Sequence, residues 1–258
     1  MRHGREDIGT AIEAAIQAGA IAKRTFGRKL KVEFKQDASP VTRIDRECEE
    51  HLRQVISKAY PSDDFLGEEF GGEPARGRPR WILDPLDGTK NFIRGIPFWG
   101  VLVAREVENR LTLGVIYLPI LNELYWARRG EGAFFNRKRI HVSRIGQLRR
   151  SYLLHGGLEC FARCGHEKQL SAIAAKSAIS RSFGDCWAYT WVARGCAEAM
   201  VEVGLKPWDT APCRIIVEEA GGRFTDWNGN PTHHSPDVIA SNGNIHCRLV
   251  KMLSGRNR

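Results

Sequence analysis

Trp81-Ile82-Leu83-Asp84-Pro85-Leu86-Asp87-Gly88-Thr89-Lys90-Asn91-Phe92 decides how the rest of the chain is read. Its apolar start, Trp81 to Leu83, predicts a short buried strand, and the Pro and Gly that follow predict a turn receiving Asp84 and Asp87. Two carboxylates then share one small volume. Such a pair repels itself unless a proton or a cation sits between its members. Glu68 and Glu69 stand upstream in Leu66-Gly67-Glu68-Glu69 and add acid to the same neighbourhood, and an all-oxygen ligand set points to Mg²⁺ ahead of zinc. Asp-Pro and Asp-Gly are also ordinary turn formers, so the stretch alone reads equally well as a turn without chemistry.

Working outward, the apolar residues from Ile8 to Phe26 recur at helical spacing and predict an amphipathic helix ending near Gly27. A strand over Leu30 to Phe34 leads into a loop starting at Lys35, and Ser39-Pro40 breaks the chain before a helix of roughly Thr42 to Ala59. Asp45 falls in the first turn of that helix, where the helix dipole alone explains an acid. Asp64 to Gly67 predicts a strand carrying Glu68 at its end, and Gly71 to Pro79 a mobile surface loop. Phe98 to Arg105, Leu111 to Tyr117, Glu123 to Trp126 and Arg139 to Val142 form an expected antiparallel meander, so the first half reads as helices on one antiparallel sheet. In the second half, short strands at Tyr152, Ala178, Ala199, Gly222 and Val238 alternate with helices near Glu167 to Lys176, Asp185 to Gly195 and Thr210 to Ala220. That pattern predicts a mixed α/β layer, with a boundary near Ser143 to Arg150 dividing domain 1–145 from domain 146–258.

Composition narrows the function classes. The 258 residues lack an apolar stretch of membrane-spanning length and a secretory h-region, which predicts a cytoplasmic globular protein. Seven irregularly spaced cysteines fit a reducing compartment. Cys160 and Cys164, with His155 and His166 nearby, make a zinc site conceivable, but their spacing matches no common finger. The net charge of +9 favours phosphate-bearing partners. Arg128-Arg129, Arg137 to Arg139 and Arg149-Arg150 sit in expected turns with little aromatic interleaving, which reads as a solvated face rather than a nucleic-acid footprint.

Three pieces, in order along the chain, resemble the inositol monophosphatase superfamily of lithium-sensitive, metal-dependent phosphatases: Gly67-Glu-Glu69, Asp84-Pro-Leu-Asp-Gly-Thr89, and Pro207-Trp-Asp-Thr-Ala211 followed by Ile215 to Gly222. The resemblance implies a layered α-β-α-β-α sandwich and a homodimer. It also implies about two or three Mg²⁺ ions per site, which would activate a water and steady the departing alkoxide. By the same resemblance Glu68, Asp84 and the Leu86 carbonyl bind one ion, and Asp84, Asp87 and Asp209 bind a second, with Asp84 as the bridge. Glu68 and Thr89 then orient the attacking water, the amides of Gly88 and Thr89 face the phosphate, and the Lys35 loop and Asp45 lie close to the metals. Asp209 has a plainer reading as the N-cap of the helix that follows it.

Arg181-Ser-Phe-Gly-Asp-Cys-Trp-Ala-Tyr189 resembles the histidinol-phosphate phosphatase branch, because inositol phosphatases tend to carry a small residue in place of Asp185. An anionic pocket of Asp185 and Glu202 suits the ammonium and imidazole of histidinol phosphate better than a polyol. Asp185 is otherwise a helix N-cap and Glu202 a strand-edge charge. Asn91 is a residue shared with many inositol phosphatases, and Asp209-Thr-Ala-Pro is unusual in either branch. The expected activity is hydrolysis of L-histidinol phosphate in histidine biosynthesis. The enzymatic alternative is inositol 1-phosphate or a related small ester, and the rival of another class is an RNA or transcription-complex binding protein.

Overall fold

Along the strand from Arg80 to Asp87, Trp81 and Leu83 bury on one face and Ile82 on the other, a pattern that requires a sheet covered on both sides. A computed structural model describes residues 3–29, 31–34, 40–72 and 77–254, with the backbone alone for 3–5. The loop at Lys35 and residues 73–76 of the Gly71 to Pro79 loop lie outside the described residues.

The chain opens with α1 (His3–Lys23), the short pair β1 (Val32–Phe34) and β2 (Pro40–Thr42), and α2 (Arg43–Ala59). Then come β3 (Asp64–Gly67), β4 (Arg80–Asp87), α3 (Thr89–Ile93), β5 (Gly100–Val107), β6 (Arg110–Leu118), β7 (Glu123–Arg128), β8 (Gly132–Phe135) and β9 (Lys138–Ile140). The strands from β3 to β9 form one sheet in sequence order. The second half runs β10 (Tyr152–His155), α4 (Leu158–Arg163), α5 (Glu167–Ala174), β11 (Ile179–Arg181), α6 (Asp185–Ala193), β12 (Ala199–Glu202), α7 (Pro207–Glu219), β13 (Arg223–Asp226), β14 (Val238–Ser241) and α8 (His246–Leu253). Its sheet has the order β11-β10-β12-β14-β13 and mixes parallel with antiparallel pairs.

Burial alternates along the strands and produces five layers. Trp81, Leu83, Val101 and Val103 face Ala11, Ala15, Leu52 and Ile56 of α1 and α2. Ile82, Leu102 and Ile116 face α6 and α7, which also cover Leu154, Met200 and Ala240 of the second sheet. Leu153, Val201 and Ile239, on the far face of that sheet, meet Phe161, Leu170, Ile173 and Leu249 of α4, α5 and α8. The result is the α-β-α-β-α sandwich, because each sheet is apolar on both faces and needs a helical cover on each.

Several local expectations change. The first sheet is not wholly antiparallel, since β3 pairs in parallel with β4. The strand at Trp81 does not stop at Leu83 but continues to Asp87, with an irregular register between Asp84 and Asp87 where Pro85 has no N–H to give. Sequence patterning misses β8, whose Gly132-Ala-Phe-Phe135 follows a tight turn after β7. Arg128 pairs with Asp7 and Glu131, and Arg129 with Glu218, so this basic cluster is engaged within the fold. Among the described residues, no helix is long and apolar enough to cross a membrane.

Helix α7 approaches β6 closely at Gly114. A Cβ there would stand 2.4 Å from Ile215 Cγ2 and 3.0 Å from the Pro212 carbonyl oxygen. Gly114→Val is expected to lower unfolding free energy by about 1–3 kcal/mol through overpacking. Urea denaturation with an unchanged midpoint would contradict this contact.

Candidate metal and phosphate site

The turn after β3, the irregular end of β4 and the start of α7 converge. One carboxylate oxygen from each of Asp84, Asp87 and Asp209 lies within 4.8 Å of the others. Asp84 is 1% exposed, and its Oδ1 accepts the Leu86 amide at 3.0 Å, which turns the chain after Pro85. Asp209 is not the N-cap of its helix. Pro207 starts α7 two residues earlier, Lys206 takes the cap position, and Asp209 Oδ2 accepts the Lys206 amide at 2.8 Å. Pro needs no donor at a first helical turn, so the helix starts at Pro207 and carries Asp209 inward.

Electrostatics follow from this crowding. Burial raises the Asp84 carboxyl well above its ordinary range, and the charges of Glu68, Asp87 and Asp209 push it further. Asp87 rises to about 7, by burial and then by Asp209. Asp209 also rises to about 7, by burial and by Glu68, against the Lys206 hydrogen bond that lowers it. Carboxylates brought together in this way can hold shared protons or a divalent cation. The all-oxygen donor set suits Mg²⁺.

Neighbouring groups hold this arrangement in place. Thr89 Oγ1 lies 3.0 Å from the Leu86 carbonyl and 3.1 Å from Asp45 Oδ1, so its single proton is shared between two acceptors. Asp45 is more than a dipole partner: its Oδ2 accepts both the amide and the hydroxyl of Thr42, and burial raises its carboxyl. Glu49, which the sequence reading passed over, accepts the Glu69 amide at 2.7 Å and pairs with Arg53, fixing the turn that carries Glu68. Gly67 has room for that carboxylate only because it lacks a Cβ, which would fall 1.9 Å from Glu49 Oε1. Asp45, Glu49 and Arg53 follow one another at four-residue spacing beside the buried stripe Ile44, Cys48, Leu52 and Ile56. Acids on the margin of a core-facing stripe were the signal available for this shell.

Gly88 adopts φ 86° and takes the cap position of α3 with no side-chain cap hydrogen bond. The cleft of about 470 Å³ is bordered by Glu68, Gly88, Thr89, Asp185, Glu202 and Asp209, with Phe98, Phe183 and Trp187 on its apolar side. Asp185 is the first residue of α6, not its cap, and takes the left-handed φ of 59°. Non-glycine residues carry strain there, and here the turn aims the Cys186 amide at Asp87 Oδ2, 2.5 Å away. Asn91 Nδ2 donates to Asp185 Oδ2 at 2.9 Å and to the Phe98 carbonyl at 2.8 Å. Burial, then the charge of Asp87, raises Asp185 to about 7. Glu202 is buried at the end of β12, accepts the Tyr189 hydroxyl at 2.8 Å, and is raised well above its ordinary range by burial and Asp185. Of the residues expected here, Glu68, Gly88, Thr89, Asp185, Glu202 and Asp209 border one cleft, and Asp84 and Asp87 meet Asp209 beside it. Cys160, Cys164, His155 and His166 form no group close enough to share a cation among the described residues.

Residues 4–257 match the sequence model of the Inositol monophosphatase family. A histidinol-phosphatase of Chlorobaculum parvum is 40% identical over 254 residues, covering 98% of each chain. An inositol-1-monophosphatase of Mesorhizobium japonicum is 34% identical over 255 residues, covering 95% of each. Among solved structures, the extragenic suppressor protein suhB of Bartonella henselae superimposes with a TM-score of 0.91 at 34% identity, covering 97% of this chain and 99% of that one.

The raised carboxyls fix the sign of a pH effect. Each binds its proton more tightly folded than unfolded, so the stability they contribute in metal-free protein is complete below the ordinary value of 3.8 and is lost as pH rises through about 7. With a chelator present, the thermal midpoint of the wild type should fall relative to that of Asp84→Asn between about pH 5 and about pH 8, and added Mg²⁺ should recover it most at the upper end. Parallel midpoint curves for the two proteins would show that the carboxylates do not repel one another.

Proposed function

The chain belongs to the inositol monophosphatase family, and from that premise we propose that it is a Mg²⁺-dependent phosphomonoesterase whose substrate is L-histidinol phosphate. Asp84, Asp87, Asp209, Glu68 and the Leu86 carbonyl hold the metal ions. Mg²⁺ bound there supplies charge neutralisation for the phosphoryl oxygens, an activated water and a counter-charge for the departing alkoxide.

The chain's own groups do the positioning. Gly88 and Thr89 offer main-chain amides to the phosphoryl group at the start of α3. Thr89 Oγ1 donates towards Leu86 or Asp45, which leaves its lone pairs to accept from a water between it and Glu68. Asp45, raised by burial, then accepts the Thr89 proton as Thr89 takes one from the water. The apolar wall of Phe98 and Trp187, whose rings stack at 4.2 Å, excludes bulk water from one side of the cleft.

One observation carries the choice of ester. Beyond the metal set, Asp185 and the buried Glu202 border the same cleft. A neutral polyol leaves two carboxyls poorly solvated, whereas an ammonium neutralises them, and its charge-assisted hydrogen bonds are stronger than those to a hydroxyl. Asp185 Oδ2 would be 3.3 Å from a Cβ on Gly88, which supports a place for its side chain beside the bound phosphate. An amine close to the ester oxygen meets it there. The relatives include histidinol-phosphatases, inositol-1-monophosphatases and Nus factor SuhB proteins, and inositol 1-phosphate is the competing ester.

Phosphate release with Mg²⁺ tests this reading. We expect kcat/KM for histidinol phosphate to exceed that for inositol 1-phosphate about a hundredfold, and Asp185→Asn to reduce the former about tenfold or more while sparing the latter. Equal losses on both esters, or a preference for inositol 1-phosphate in the wild type, would contradict it.

A further inference from the structure

Glu106, His233 and His234 form a second group whose ligand atoms lie within 4.8 Å of one another. A cation is the obvious occupant, but the surrounding charge opposes it. Arg80 Nη2 stands 2.6 Å from Glu106 Oε2, and Arg214 Nη1 stands 3.4 Å from His233 Nδ1. A divalent ion would sit beside two guanidinium groups without the negative charge to offset them.

The same contacts describe a clamp. Glu106 lies on β5 opposite Arg80 of β4, so its carboxylate is fixed on the sheet that also carries Asp84 and Asp87. His233 Nε2 reaches Glu106 Oε1 at 3.2 Å, and both side chains are 3% exposed. His233 and Arg80 together hold the Glu106 carboxyl down to about 2, which keeps it ionised. The main chain around His233 then grips the segment bearing Asp209 at two points. Its carbonyl accepts the Thr210 hydroxyl at 2.7 Å, and the Pro236 carbonyl accepts the Leu205 amide at 3.0 Å. These contacts lie on either side of the turn from Lys206 to Asp209. Asp209 must meet carboxylates carried by the first sheet, and mutual repulsion would move it away if its helix start were free.

We infer that His233 is a positioning residue for Asp209, locking the first turn of α7 to the first sheet through Glu106 so that the metal-binding carboxylates stay in register. The inference rests on the proposed metal role of Asp209. Outer groups that orient ligands typically change metal affinity 10- to 100-fold when removed.

Mn²⁺ binding to the full-length protein, followed by the loss of the free-ion electron paramagnetic resonance signal, reads this without activity. His233→Ala should weaken Mn²⁺ binding about tenfold, Thr210→Val should do likewise, and His233→Gln, which keeps a polar group facing Glu106, should recover most of the affinity. Leu249→Ala, in the remote core beneath α8, should lower the thermal midpoint without changing Mn²⁺ affinity. Asp209→Asn separates the two ideas. Undiminished Mn²⁺ affinity in that variant overturns the metal role of Asp209 and this inference with it. Weakened binding in Asp209→Asn, with wild-type affinity in Thr210→Val and in any His233→Ala that folds, overturns the positioning role alone.

Discussion

Mutual repulsion among crowded carboxylates is the constraint on which this structure depends. Asp84 and Asp87 from β4 and Asp209 from α7 crowd into a space where their charges cannot all stay uncompensated. Such a cluster lowers the stability of the metal-free fold, so the surrounding elements must hold it together. The end of β4 is pinned by the Asp84 to Leu86 hydrogen bond, the Glu68 turn by Glu49, and Thr89 by its contacts with Asp45 and Leu86. The same crowding raises proton affinity, which exchanges readily for a divalent cation.

The five layers place the halves of this site. The first sheet delivers two of the aspartates through β4. The third arrives on α7, a helix from the second half that packs against the first sheet in the central layer. Gly114 permits that approach, and Glu106 with His233 ties the adjoining loop to the same sheet. Asp185 and Glu202 reach the same cleft from the start of α6 and the end of β12. The groups proposed to hold metal and those proposed to choose the ester therefore sit on different elements, an arrangement that lets the ester change while the phosphate chemistry stays fixed.

Much of this was legible in the residues. The apolar run Trp81 to Leu83 predicted a buried strand, the flanking patterns predicted helices on sheets, the family resemblance implied the five layers, and the acidic motifs led to the cleft. What stayed hidden depended on tertiary contact or exact boundaries. The N-cap of α7 lies at Lys206 because Pro207 can start a helix, which moved Asp209 inside the first turn. The left-handed φ of Asp185 has no local signature, since it is held by the fit of α6 against Asp87. Glu49 looked like one more charge on an amphipathic helix, although its four-residue spacing from Asp45 placed it beside the core. His233 and Glu106 are distant in sequence, and nothing in either neighbourhood announces the other.

The most direct test of the account is an anomalous-difference map from crystals of the protein grown with Mn²⁺. The account predicts peaks bounded by Asp84, Asp87 and Asp209, with Glu68 and the Leu86 carbonyl completing the oxygen shell. Empty density there at saturating Mn²⁺, with the carboxyl groups bonded to one another through shared protons, would contradict it.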